Sequence, residues 1–202
     1  MGKLALTAVV LAGGKSTRLG QDKAFALVGG RPMVERVLEV VRQVCDEILI
    51  LGGDGGKLKA DKARHLPDEH PGEGPLMALR TGLAAMTHDW AFATACDAPF
   101  LEPRLLEYLW TLREGHDAVV PFTAADNYPK PLCALYARLC LPAATAALDR
   151  GDRQLVRLYR DVRVLYVPED NLRLIDPDLR SFQNVNTAED LRRAEEIAAE
   201  TD

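Results

Sequence analysis

No two cysteines in this sequence have the CxxC spacing of a metal or redox motif: Cys45, Cys96, Cys133 and Cys140 stand far apart. That scatter predicts reduced core thiols rather than a disulfide framework. Histidine is as sparse, and His65, His70, His88 and His116 have no ligand spacing to one another or to a cysteine, which argues against structural zinc. There is no excess of positive charge either. The 25 Lys and Arg face 30 Asp and Glu, for a net charge of −5. A chain so balanced has no electrostatic reason to bind nucleic acid or an anionic membrane, whereas a nucleotide needs only a local cationic site. No stretch approaches the ~18 apolar residues of a membrane span. The apolar run ending at Leu11 leads into Gly-Gly-Lys-Ser-Thr-Arg without a small-residue cleavage pattern, so it reads as a buried strand and a cytoplasmic location is expected. Internal repeats and low-complexity linkers are also lacking. What remains, at 202 residues with 48% apolar and 27% charged, is the composition of one globular domain spanning 1–202.

Apolar runs of strand length alternate with helical patterns, the mark of an α/β sheet with crossover helices. A strand over 5–11 is broken by Gly13-Gly14. Pro32 reads as the first residue of a helix with Met33, Val34, Val37, Leu38, Val41 and Val44 on one face. A strand over 47–51 stops at Gly52-Gly53, and residues 54–74 read as a long charged loop, a length that suggests function. Pro75 opens a second helix, 90–96 forms a strand ending at Asp97, and Pro103 opens a third helix. Further on, 117–122, 131–137 and 162–167 read as strands, and 141–149 and 152–160 as helices. Thr187 caps a last helix whose first turn carries Glu189 and Asp190, as suits the positive end of its dipole.

The segment from Leu11 to Lys23 is the most informative. Adjacent glycines after a buried strand let backbone N–H groups approach a phosphate or base with no Cβ in the way. Arg18 and Lys23 place two positive charges close to the loop in sequence, which would offset the charge of a bound phosphate. Two familiar phosphate loops are excluded. GxxxxGK[ST] requires glycine where Val9 stands, and GxGxxG requires glycine at Lys15 and Arg18. On spacing alone, a phosphate cradle and a plain structural turn both remain open.

The string LAGGKSTRLGQDKA over 11–24 resembles the LAGGxSxRxGxDKA signature of molybdenum cofactor guanylyltransferases. Further resemblances follow in order: Leu66-Pro67-Asp68, Gly74-Pro75-Leu76, Cys96-Asp97-Ala98-Pro99, and the run from Phe182 to Leu191 that contains Asn-Val-Asn-Thr. Together they span essentially the whole chain. The resemblance implies a Rossmann-like nucleotidyltransferase fold, a single three-layer α/β domain with a mostly parallel sheet. It implies that Leu11, Ala12, Gly13, Gly14, Lys23 and Asp68 lie in a GTP site, that Asp97 binds Mg²⁺, and that Asn184 and Asn186 lie near the pterin or the metal. On an extended segment these two asparagines face the same side. Arg153 falls where the family often has a basic residue near the pterin phosphate. Asp97 also ends a strand, where ligands of open α/β sheets gather and a carboxylate can hold a hard, hydrated Mg²⁺.

One departure concerns the base. Relatives often carry asparagine after the second strand, whereas this chain has Gly52-Gly53-Asp54, with Gly52 at the expected position. The reaction implied is transfer of GMP from GTP to molybdenum-bound molybdopterin with release of pyrophosphate. Residues of about 1–100 would bind nucleotide and about 101–202 the acceptor. Arg18, Lys23 and Asp97 would act on the phosphates, and molybdoenzymes, their chaperones or other cofactor-synthesis proteins would be partners. The alternatives are a related transferase using CTP or a sugar phosphate acceptor, and a non-catalytic protein that delivers the cofactor.

Overall fold

The structure, a computed structural model, describes residues 2–13, 23–53, 63–67, 72–124 and 126–201. Ten strands occur among them: β1 (Leu4–Leu11), β2 (Leu27–Val28), β3 (Arg31–Pro32), β4 (Cys45–Leu51), β5 (Ala63–Leu66), β6 (Trp90–Ala95), β7 (Ala118–Thr123), β8 (Tyr128–Pro129), β9 (Cys133–Ala137) and β10 (Val164–Pro168). The helices are α1 (Met33–Val44), α2 (Gly74–Ala85), α3 (Pro103–Thr111), α4 (Leu141–Asp149), α5 (Glu169–Arg173) and α6 (Ala188–Thr201). The main sheet runs β10-β7-β9-β6-β1-β4-β5, with the short β8 beside β7. Its pairs are parallel except those that β9 makes with β6 and β7 and that of β8 with β7. The expected α/β architecture with a mostly parallel sheet is therefore present.

Strand residues alternate between two cores. Leu6, Ala8 and Val10 of β1 face the layer built by α1 and α3, while Val9 and Leu11 face α2 and α4. Six apolar residues of α1, from Met33 to Val44, are buried, and all but Val44 are at 2% exposure or less. Each such side chain contributes roughly 1.5–3 kcal/mol by leaving water. On the other face α2 presses closely onto β1: a Cβ at Gly82 would lie 2.7 Å from Val9 Cγ1. Glycine in a helix interior costs about 1 kcal/mol relative to alanine, and here the close approach requires it.

Several sequence expectations are corrected. Pro32 is not the first residue of α1; it pairs with Leu27 in the β2–β3 hairpin, and the helix starts one residue later. The stretch 54–74 contains strand β5, which pairs in parallel with β4. The helical stretch expected over 152–160 begins later, at Leu155, and is a 3₁₀ helix through Arg160. Helix α5 and a 3₁₀ turn over Arg180–Phe182 were not anticipated. Among the described residues, no helix is long and apolar enough to cross a membrane. All four cysteines are free and buried, and burial pushes the Cys45 and Cys140 thiols up to about 12.

Candidate active site

From β1 the chain moves outward to β4 and β5, then returns on the other side of β1 as β6. That reversal is a topological switch point, and beyond the carboxyl ends of the strands at such a point is where open α/β sheets bind ligands. Leu11 ends β1 flanked by Leu51 and Ala95 in register. Backbone pairing continues past the strand ends, because Ala12 N–H donates to Leu51 O at 2.9 Å and Cys96 N–H to Leu11 O at 3.0 Å. Ala12-Gly13, Gly52-Gly53 and Cys96-Asp97 therefore emerge side by side. Apart from Asp97 these residues are small, so what the strand ends present here is largely backbone.

Asp97 is 8% exposed. One carboxylate oxygen, Oδ2, pairs with the Lys23 ammonium, and the other, Oδ1, is buried with no hydrogen-bond partner among the described residues. Lys23 Nζ also donates to Asn186 Oδ1 at 2.7 Å. Three residues separated by as many as 163 positions thus converge: Lys23 from the segment after β1, Asp97 from the end of β6, Asn186 from the lead-in to α6. The sequence nominated all three separately and gave no sign that they touch.

The lead-in to α6 is held at two further points. Val185 N–H donates to the backbone oxygen of Asp97 at 2.9 Å. Val185 itself is buried in a small core with Ala26, Val28 and Met33, and with Ala194 and Ala198 of α6. Asn184 and Asn186, on either side of it, are exposed. Asp190 Oδ2 accepts from the N–H groups of Asn186 at 2.9 Å and Thr187 at 2.8 Å, and Thr187 Oγ1 accepts from Asp190 N–H at 3.1 Å. Thr187 is thus the expected cap, within a reciprocal capping box. The hydrogen bond from Asn186 N–H, chiefly, holds the Asp190 carboxyl below the usual range, with a smaller contribution from the Lys23 charge. A Thr-x-x-Asp spacing was legible in the sequence; its extension to Asn186 was not.

Gly52 sits at the end of β4 in a left-handed conformation (φ 71°). Its N–H donates to Leu66 O at 3.1 Å, and its oxygen lies 2.8 Å from His65 Nε2, which donates. Both backbone groups are thus engaged within the protein, and Gly53, exposed beside it, has the freer backbone. Arg153 is drawn to the start of α2: its Nε lies 2.5 Å from Glu73 Oε2, and its backbone oxygen accepts from Leu76 N–H at 3.3 Å. A Cβ on Gly74 would lie 2.9 Å from that oxygen, so glycine is required there by space as well as by its φ of 83°. Gly14, Arg18, Asp54 and Asp68 lie outside the described residues.

No cluster of three or more His, Cys, Asp or Glu side chains suited to a metal occurs among the described residues. Asp97 offers one buried carboxylate oxygen without a hydrogen-bond donor. That donor set fits an ion such as Mg²⁺, which keeps most of its water and binds through one or two carboxylates plus substrate phosphates.

A family model described as a MobA-like NTP transferase domain matches residues 8–164. A molybdenum cofactor guanylyltransferase from Desulfosudis oleivorans is 37% identical over 193 residues, 95% of each chain. The chain belongs to the molybdenum cofactor guanylyltransferase family. The crystal structure of molybdopterin-guanine dinucleotide biosynthesis protein A from Archaeoglobus fulgidus matches at a TM-score of 0.83 and 30% identity, covering 97% of this chain and 100% of that one. The 2-C-methyl-D-erythritol 4-phosphate cytidylyltransferase from Thermus thermophilus, at TM-score 0.70 and 18% identity over 98% of this chain and 100% of that one, shares the fold.

Proposed function

We propose that this protein transfers GMP from GTP to molybdenum-bound molybdopterin, forming molybdopterin guanine dinucleotide and pyrophosphate. The observation that carries the reading is the meeting of Lys23 and Asp97 at the carboxyl ends of β1 and β6, with one carboxylate oxygen of Asp97 lacking a donor. In the reaction, a terminal phosphate oxygen of the acceptor bonds to the α-phosphorus of GTP and the bond from that phosphorus to the β-phosphate oxygen breaks. No protein base is needed, because a phosphate monoester with a second pKa of about 6 is already mostly dianionic at neutral pH. The work left to the protein is positioning and charge stabilisation.

In this scheme the Leu11, Ala12, Gly13 and Gly14 backbone orients the triphosphate. Lys23 and Arg18 neutralise charge on the departing pyrophosphate. Asp97 would hold Mg²⁺, which offsets charge on the substrate phosphates when bound. Asp68 and the Gly52-Gly53-Asp54 turn contribute to the nucleotide side, and Asn184 and Asn186 to the side of the acceptor. Residues of about 1–100 supply most of the nucleotide site and about 101–202 most of the acceptor site. The buried, reduced thiols suit a cytoplasmic enzyme, and its product passes on to a molybdoenzyme or a chaperone.

The test is pyrophosphate release with molybdenum-molybdopterin and either GTP or CTP, alone and in competition. A site whose polar groups are satisfied by one base rejects another by several kcal/mol, so strong preference for GTP is expected. Preference for CTP would overturn the reading. Repeating the competition with Asp54→Ala shows whether that carboxylate, rather than the Gly53 backbone, reads the guanine donors.

A further inference from the structure

The contacts around Lys23 extend one residue beyond those that would meet substrate. Lys23 Nζ is held by Asp97 Oδ2 and Asn186 Oδ1. Asn186 is exposed and belongs to no strand or helix, so its own strand partners do not fix its backbone. The fixing group on the α6 side is Asp190, whose Oδ2 takes both the Asn186 and the Thr187 N–H groups. Only one of these belongs to an ordinary capping box; the bond to Asn186 reaches one residue further back, to the residue that touches Lys23. On the other side of Asn186, Val185 is anchored by its bond to Asp97 O and by burial at 2% exposure. The segment is therefore pinned at both ends, and what it presents between the pins is the amide of Asn186.

We propose, on the reading that Lys23 is a triphosphate ligand, that Asp190 is a positioning residue: it fixes Asn186 and so holds the Lys23 ammonium beside Asp97. Helix α6 is then the frame of the cationic site as well as a cover for the β2–β3 hairpin, on which it packs through Ala194 and Ala198. Asp190 touches no substrate in this account. It acts by lowering the number of arrangements Lys23 samples before nucleotide arrives, and misplacement of a catalytic group by a fraction of an ångström to one ångström costs up to roughly a hundredfold in rate.

Three variants separate positioning from helix capping. Asp190→Ala removes the acceptor from both N–H groups. Asp190→Asn keeps an oxygen at the same place. Thr187→Ala removes the hydroxyl that caps Asp190 N–H and leaves the Asn186 contact intact. Two readouts are taken on the full chain: the rate at which Lys23 is modified by an amine-directed acylating reagent, followed by peptide mass spectrometry, and kcat and KM for GTP in pyrophosphate release. Asp190→Ala should speed labelling of Lys23 several-fold and lower kcat by on the order of tenfold, with Asp190→Asn restoring both towards wild type. Thr187→Ala should lower the melting temperature about as much as Asp190→Ala while leaving Lys23 labelling unchanged. Unchanged labelling in Asp190→Ala, or an equal rise in Thr187→Ala, would overturn the proposal and leave Asp190 a helix cap. Labelling needs no substrate, so it decides the proposal even if the wild-type chain fails to turn over GTP, a failure that would count against the guanylyltransferase reading instead.

Discussion

Glu47 and Asp97 are carboxylates of the same three-strand unit, placed towards opposite ends of β1, β4 and β6, and their surroundings differ in kind. Glu47 is saturated. Its Oε2 accepts from the Thr7 hydroxyl at 2.6 Å, the Thr87 N–H at 2.8 Å and the Thr87 hydroxyl at 3.0 Å, and Oε1 accepts from Arg64 at 3.0 Å. Burial pushes its pKa up, yet these hydrogen bonds and the Arg64 charge outweigh it and leave Glu47 below the ordinary value of 4.5. Asp97 has the opposite arrangement, with one oxygen on a lysine and the other buried without a donor. A buried carboxylate oxygen left without a donor costs free energy. The fold accepts that cost at one end of the strands and avoids it at the other, the contrast expected between a structural carboxylate and the one proposed above to hold Mg²⁺.

Substitutions at three positions, and the pH profile of one of them, test the contrast. The largest effect should come from Asp97→Asn, which keeps the shape and removes the charge: turnover in the pyrophosphate-release assay should fall by on the order of a hundredfold or more, while GTP binding stays measurable. Turnover close to wild type at saturating Mg²⁺ would remove Asp97 from the site. Next, Lys23→Ala should weaken GTP binding in titration calorimetry by about 1.5–3 kcal/mol, the worth of a charge-assisted hydrogen bond. At the other end of the sheet, Glu47→Gln should leave kcat unchanged and lower stability in urea unfolding by about 1–2 kcal/mol, because donors matched to a carboxylate meet an amide.

The smallest effect sharpens the same contrast through pH. A carboxyl whose folded pKa lies below its unfolded value stabilises the fold above the unfolded value and loses that contribution as pH falls through the folded one. The stability gap between wild type and Glu47→Gln should accordingly be flat at neutral pH and narrow as pH drops below about 4.5, the ordinary value for Glu47. A gap that widened on acidification would contradict the saturated carboxylate described here.

Where hydrophobic period and punctuation agreed, the sequence was readable. The stripe of α1, the apolar β1 and β6, and the prolines that open α2 and α3 are all local signals, and each element formed close to where it was expected. Strand β5 escaped notice because Ala63-Arg64-His65-Leu66 is a short edge strand, half-buried at most, with none of the apolar run that marks a central one. The antiparallel direction of β9 was invisible for a different reason: Cys133–Ala137 is buried throughout, and an apolar strand looks alike in either orientation. Pro32 fits a helix start and a hairpin strand equally well by composition, and pairing with Leu27 decided it. At the site, residue identities were legible while contacts were not. Lys23, Asp97 and Asn186 each drew attention for their own motif, yet their meeting depends on the packing of Val185 with Ala26, Val28 and α6, which no local pattern encodes.

The most direct test of the central claim follows the phosphates themselves. GTP labelled at either the α- or the γ-phosphate is incubated with the protein, Mg²⁺ and molybdenum-molybdopterin, and the products are separated. Guanylyl transfer at the Lys23–Asp97 site predicts that the α-label moves into a molybdopterin-containing dinucleotide while the γ-label leaves as pyrophosphate. Release of the γ-label as orthophosphate, or an α-label that stays in GTP while the nucleotide remains bound, would contradict it and leave a hydrolase or a delivery protein in its place.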